Sequence, residues 1–198
     1  MARIKVPDLI DIVAIGKNSE MGYQGGLPWS GMTKDIRKFV ERTLDNGIVL
    51  MGDTTFLSIP KERRPLHNRD HYVLSFNPEN PELQRYSGQI SICGSIPEAF
   101  AKIDKNYPKL DSPVINVGGG KVFETCMPYT SGIFLTTLDI RPDADTYFEF
   151  DRREWKREGE IDSWVEENAK VNGVCFDKVD CVDEFLVRRK VVPKYIEM

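Results

Sequence analysis

Histidine is nearly absent: His67 and His71 are the only two in 198 residues. Their four-residue gap could put both on one helix face, but no acidic ligand accompanies them as a zinc-hydrolase motif requires. They read as surface or loop residues, and no metal site is expected. With no GxSxG-like elbow either, a Ser-His-Asp or Cys-His mechanism lacks its parts. Long apolar runs are missing too. No stretch approaches the roughly 20 residues that a spanning helix needs, so no membrane association is expected. The start, Met1-Ala2-Arg3-Ile4-Lys5, carries no apolar signal core. Excess positive charge is also absent, with 31 acidic against 27 basic residues and a net charge of -4. A nucleic-acid partner is therefore not expected, whereas a small molecule remains open. The four cysteines, Cys93, Cys126, Cys175 and Cys181, match no zinc or redox spacing and read as reduced thiols in a cytoplasmic protein.

What is present is ordinary for one soluble globular domain: 40% hydrophobic, 29% charged and 10% aromatic residues. Ile10 to Gly16 reads as a mostly buried strand ending at glycine, and a glycine-rich loop from Asn18 to Pro28 is a candidate lid. From Thr33, a possible N-cap, Ile36, Phe39, Val40 and Leu44 share a helical face that should be buried, and Asn46-Gly47 stops the helix. Ile48 to Gly52 suits a strand covered on both faces, and Asp53 or Thr54 can cap a short helix after it. A proline-bounded loop, Pro60 to Arg69, leads to a strand at Tyr72 to Leu74. Ser95 opens a helix carrying Ala99, Phe100 and Ile103. A strand from Pro113 to Val117 runs into Gly118-Gly119-Gly120, a helix through Val122, Phe123 and Cys126 follows, and Ile133 to Leu138 is a further strand. The segments 171–176 and 184–189 read as a closing antiparallel pair, and 152–167, with Trp155 and Trp164, as a solvated surface segment. This pattern predicts a single α/β domain over 1–198, with a mostly parallel central sheet, an antiparallel C-terminal edge and helices on both faces.

In such a sheet, ligands sit beyond the carboxyl ends of the strands. That gathers the Gly22 to Trp29 loop, the start of the Thr33 helix, Gly52 to Thr55, and Gly118 to Lys121. The glycine triplet could receive a diphosphate; a tight strand-to-helix turn explains it equally well. Asp35, one residue before the apolar face, could be a desolvated acid with a raised pKa that binds a cationic or hydrogen-bond-donating ring. Its alternative is an aspartate favoured in a first turn by the helix dipole.

Taken together and in order, Ala14-Ile15-Gly16, Met21-Gly22, Leu27-Pro28-Trp29, Asp35 with Phe39 and Thr43, Met51-Gly52 with Thr55, Ser58-Ile59, Arg64-Pro65-Leu66 with Arg69, Leu74-Ser75, Val117 to Phe123, and Leu135-Thr136 resemble the motifs of dihydrofolate reductases. The resemblance is clearest over 10–148. It implies reduction of dihydrofolate by hydride transfer from NADPH, with antifolates as further ligands and a monomeric protein. By similarity, Asp35 promotes protonation of the pteridine, Thr136 hydrogen-bonds to it, and Leu27 and Trp29 belong to a mobile loop closing over the ring. Ile12, Ala14, Phe39, Ile59, Leu66 and Val117 would line the substrate, and Arg69 would pair with its glutamate tail. Ala14, Met21, Gly22, Gly26, Gly52, Thr54, Thr55, Ser75, Gly118, Gly119, Gly120, Lys121, Val122 and Phe123 would line the cofactor.

Two positions depart from the family pattern. Asp53 stands where many members have an arginine gripping the 2′-phosphate of NADPH, so NADH also stays in view. Phe76 replaces a small polar residue. Lys121, Lys61 or Arg63 could supply the missing charge. A riboflavin-pathway pyrimidine reductase of the same fold and a folate- or nucleotide-binding component with weak turnover are the alternative functions.

Overall fold

The computed structural model describes residues 3–197; Met1 and Ala2, which open the stretch read above for a signal core, lie outside the described residues. Its strands are β1 (Arg3–Lys5), β2 (Leu9–Ile15), β3 (Glu20–Gly22), β4 (Trp29–Ser30), β5 (Ile48–Gly52), β6 (Asp70–Leu74), β7 (Ser91–Cys93), β8 (Val114–Asn116), β9 (Thr130–Leu138), β10 (Thr146–Tyr147), β11 (Trp155–Val171), β12 (Val174–Arg188) and β13 (Tyr195–Glu197). The helices are α1 (Thr33–Asn46), α2 (Asp53–Ser58), α3 (Pro81–Gln84), α4 (Ile96–Asn106) and α5 (Gly120–Cys126).

Alternation along β5 shows why the sheet is covered twice. Ile48 and Leu50 pack with Phe100 and Ile103 of α4 and Cys126 of α5. Val49 and Met51 pack on the other face with Phe56 of α2 and Leu83 of α3. A strand buried on both faces must be apolar throughout, which is the run the sequence carries. Nine strands form the sheet in the order β4-β11-β12-β9-β2-β8-β5-β6-β7. Pairing is parallel from β9 through β7 and antiparallel among β4, β11, β12 and β9. The expected α/β architecture, mostly parallel with an antiparallel C-terminal edge and helices on both faces, is the one observed. The tail beyond Lys190 returns as β13 and pairs with β1.

Four expectations need correction. The segment 152–167 is largely exposed, as expected, with Trp155 buried, but it belongs to one long strand, Trp155–Val171, paired along Val174–Arg188, and 171–176 is the tip of that hairpin rather than a partner of 184–189. Thr33 does not cap α1. The N-cap is Met32, without a side-chain bond, and the orphan amides are taken by Glu166 from β11. Nor is the apolar face of α1 buried, since Ile36 is 50% and Leu44 40% exposed; Ile36 and Phe39 instead face a cavity. The end of α1 does follow expectation, with Gly47 at φ 68° returning its N–H to Thr43. Ser95 caps α4 by accepting from the Glu98 amide. His71 is not the surface or loop residue expected: it is buried in the strand β6, where Nε2 accepts from the Leu66 amide, whereas His67 is exposed in a turn as expected.

Candidate active site

The carboxyl ends of β2, β5, β6 and β8 open onto one cavity of ≈ 960 Å³, the position that a parallel sheet reserves for ligands. Of the expected site residues, Ile12, Ala14, Met21, Gly22, Gly26, Leu27, Asp35, Phe39, Gly52, Thr54, Thr55, Ile59, Leu66, Ser75, Val117, Gly119, Gly120, Lys121, Val122, Phe123 and Thr136 all line it. Three do not. Trp29 lies in β4 paired with Val171, 5% exposed, so it is part of the sheet and not of the loop; its indole N–H is buried with no hydrogen-bond partner. Gly118 stands behind the wall. Arg69 lines a separate depression with Asn68, Asp70 and Tyr107; its Nε is buried without a partner, and burial lowers its pKa.

Asp35 enters the cavity from the first turn of α1. That turn is fixed by Glu166, whose carboxylate accepts from the amides of Thr33 (3.0 Å), Lys34 (2.7 Å) and Asp35 (3.0 Å) and from the Trp164 indole (2.9 Å). A carboxylate on a helix start satisfies donors that would otherwise be orphaned and complements the dipole. Burial pushes the Asp35 pKa up to about 6; a hydrogen bond with Thr136 opposes this, the charges of Glu166 and Asp183 add to it, and Arg42 opposes it. An acid with that pKa is partly protonated near neutrality and so has a proton to give.

Beside Asp35 lies a charge cluster that the sequence reading missed. Asp183 of β12 is buried, directly across from Thr136 of β9. Arg42 clamps it with two bonds, Nη1 to Oδ1 at 2.9 Å and Nη2 to Oδ2 at 2.5 Å, Lys38 reaches Oδ2 at 3.3 Å, and the Thr136 hydroxyl donates to Oδ1 at 3.2 Å. A signal existed: Val179, Cys181 and Asp183 share the inward register of β12, where a charge is out of place unless partnered.

The glycine-rich wall is built for close approach. Gly118 has φ 83°, its N–H donates to Asn116 Oδ1 at 3.1 Å, and its carbonyl accepts from Gly52 N at 2.7 Å. A Cβ on Gly118 would collide with the Phe123 ring; one on Gly119 would lie 3.1 Å from Thr55 Oγ1, and one on Gly120 2.7 Å from Thr146 Cγ2. Asp53 also faces the cavity, with Oδ2 accepting from Ser75 Oγ at 2.6 Å and Oδ1 from the Thr54 amide at 2.7 Å. Phe76 next to it is 95% exposed. Of the three candidate compensating cations, Lys121 lines the cavity and pairs with Glu124, while Lys61 and Arg63 are not on the wall.

A sequence model of dihydrofolate reductase matches residues 8–178. The chain belongs to the dihydrofolate reductase family. Among curated dihydrofolate reductases, that of Gallus gallus is 32% identical over 164 residues, covering 76% of this chain and 83% of its own length. That of Rattus norvegicus is 29% identical over 175 residues, covering 82% and 90%. The solved dihydrofolate reductase of Enterococcus faecalis, complexed with NADP(H) and RAB-propyl, superposes with a TM-score of 0.71 at 25% identity, covering 94% of this chain and 99% of that one. The family's reaction is the NADPH-dependent reduction of dihydrofolate, and this chain is a dihydrofolate reductase of that kind. The riboflavin-pathway alternative is not favoured. No helix among the described residues is long and apolar enough to cross a membrane.

Proposed function

We propose that this dihydrofolate reductase uses Asp35 as the acid that promotes protonation of the pteridine ring and Thr136 as its hydrogen-bonding partner. The carrying observation is Asp35 itself: among the described residues, the only carboxylate on the cavity wall beside Asp53, its pKa raised by burial into the range where it holds a proton near neutrality. Its carboxyl would orient the ring's amino group and hold the proton at the carboxyl oxygen. Ile12, Ala14, Phe39, Ile59, Leu66 and Val117 offer apolar walls against which a flat ring and its benzoyl extension would pack, excluding water from the hydride path. Arg69, three residues beyond Leu66, lines the neighbouring depression rather than the cavity; it would pair with the substrate's carboxylate tail only by turning its guanidinium toward Leu66.

NADPH supplies the hydride when bound. Gly119 and Gly120, where a side chain would fill the space, with Thr54, Thr55 and Lys121, would hold its diphosphate, and Ala14, Met21 and Gly22 its nicotinamide. Asp53 would stand near the adenosine ribose, where its carboxylate would repel a phosphate and accept well from a hydroxyl, so NADH is the second cofactor to test. Leu27, 63% exposed, would close with its loop over the ring; Trp29 would support that loop from the sheet. Residues 1–198 would act as one domain, monomeric and cytoplasmic.

The experiment follows absorbance loss of NADPH, and separately of NADH, on addition of dihydrofolate, with methotrexate as control. Methotrexate-sensitive oxidation is expected. Binding of folate analogues without turnover would replace this reading with that of a binding component, and equal or better use of NADH would overturn the NADPH preference.

A further inference from the structure

The Thr136 hydroxyl stands between two carboxylates. It donates to Asp183 Oδ1 at 3.2 Å and is also within hydrogen-bonding reach of Asp35. A hydroxyl has one proton to donate but two lone pairs to accept with, so it cannot serve both acids as a donor. Which one receives the proton is decided by the better acceptor. Asp183 is held by Arg42 through two parallel bonds and by Lys38, and a guanidinium fork fixes the carboxylate in place as an acceptor. Asp35 has no such clamp.

We propose that Asp183 is a positioning residue of the reaction: pinned by Arg42, it accepts the hydrogen bond of the Thr136 hydroxyl and so leaves the Thr136 oxygen as an acceptor for the neutral carboxyl of Asp35. The order is then Asp35 O–H to Thr136 Oγ1, and Thr136 O–H to Asp183 Oδ1. Such a chain favours the protonated form of Asp35, because a hydrogen bond made only by the neutral acid raises its proton affinity. The opposite influence of Thr136 on Asp35 given above holds only while the hydroxyl points at Asp35. The remaining groups that face Asp35 are the carboxylate of Glu166 from β11, the guanidinium of Arg42 from α1 and the thiol of Cys181 from β12. None of them competes for the Thr136 proton in the observed hydrogen bonds.

This inference rests on the assignment of Asp35 as the working acid, and its test separates the two. The full-length protein, labelled with ¹³C at aspartate carboxyls, is titrated by NMR as wild type, Thr136→Val and Thr136→Ser, with Asp35→Asn assigning the Asp35 signal. Loss of an acceptor for the neutral acid should lower the Asp35 inflection in Thr136→Val by about half a pH unit or more, and Thr136→Ser should restore it. A rise, or no movement, overturns the proposal, since a hydroxyl that donates to Asp35 stabilises the anion and its loss pushes the inflection up. Thr136→Ala carries the same test if Thr136→Val does not fold. Full dihydrofolate reduction by Asp35→Asn would sink the assignment of Asp35 instead, whatever the titration gives.

Discussion

Among the described residues, Asp11 and Asp35 have their pKa raised by burial, and of these two only Asp35 faces the cavity. Asp11 of β2 is enclosed: Asn116 on the neighbouring β8 donates to Oδ1 at 2.8 Å, Thr130 on the other neighbour, β9, donates to the same oxygen at 3.2 Å, and Oδ2 is buried without a partner. Burial pushes its pKa up to about 7, opposed by those two hydrogen bonds and by Arg188. Asp35 reaches only about 6, yet it lies on the wall of a 960 Å³ cavity among apolar side chains. A perturbed acid is therefore not by itself a mark of chemistry. Access is what separates a reactive carboxyl from a structural one, and the more perturbed of the two is the structural one.

The largest expected effect breaks the pair apart by activity. Asp35→Asn should lower dihydrofolate reduction at pH 7 by about 10²-fold or more, whereas Asp11→Asn, which keeps the side chain's shape, should leave it within about threefold of wild type. Steady-state rates of the two purified variants check this, and comparable losses would erase the distinction.

Stability should rank them the other way. Because the native pKa of Asp11 is above that of the unfolded chain, the folded state binds the extra proton between about pH 4 and 7. Wild-type stability contributed by this group is thus intact below pH 4 and is lost as pH rises through 7. The full difference between 3.8 and about 7 corresponds to at most about 4 kcal/mol. Urea midpoints at pH 5 and pH 8 should show that decline in wild type and a much flatter dependence in Asp11→Asn.

Glu166→Gln tests the support of the accessible acid. Weakening a charged acceptor that serves three amides of α1 and an indole should cost about 1–3 kcal/mol in urea unfolding. With one negative charge fewer, the Asp35 inflection should also move down. The smallest effect is expected at the point where the two regions meet. Asn116, which holds Asp11, also holds the Gly118 amide, so Asn116→Val should raise the KM for NADPH several-fold with kcat changed less.

Much of this was legible in the sequence for definite reasons. Ile48 to Gly52 is apolar at every position because both its faces are covered, and Asp35 with Thr136 keeps its family context. The hairpin from Trp155 to Arg188 was hidden by its chemistry: its outer face mixes both charges and buries little, so it resembles a solvated segment. Asn172-Gly173, both with φ above zero, is a hairpin-turn signal that names the strands on either side. The alternation of β12 marks Asp183 as an inward charge in need of a partner, but the partners themselves were not legible, since those of Asp183 and Glu166 lie on α1 more than 130 residues away. The exposure of Ile36 likewise follows from the cavity and not from the period of the helix.

The most direct measurement is the pH dependence of single-turnover hydride transfer in wild type, Asp35→Asn and Asp11→Asn. The wild-type rate should fall as pH rises through about 6, with the same inflection in Asp11→Asn and none in the far slower Asp35→Asn. An inflection that vanishes in Asp11→Asn and survives in Asp35→Asn would contradict the assignment of Asp35 as the working acid.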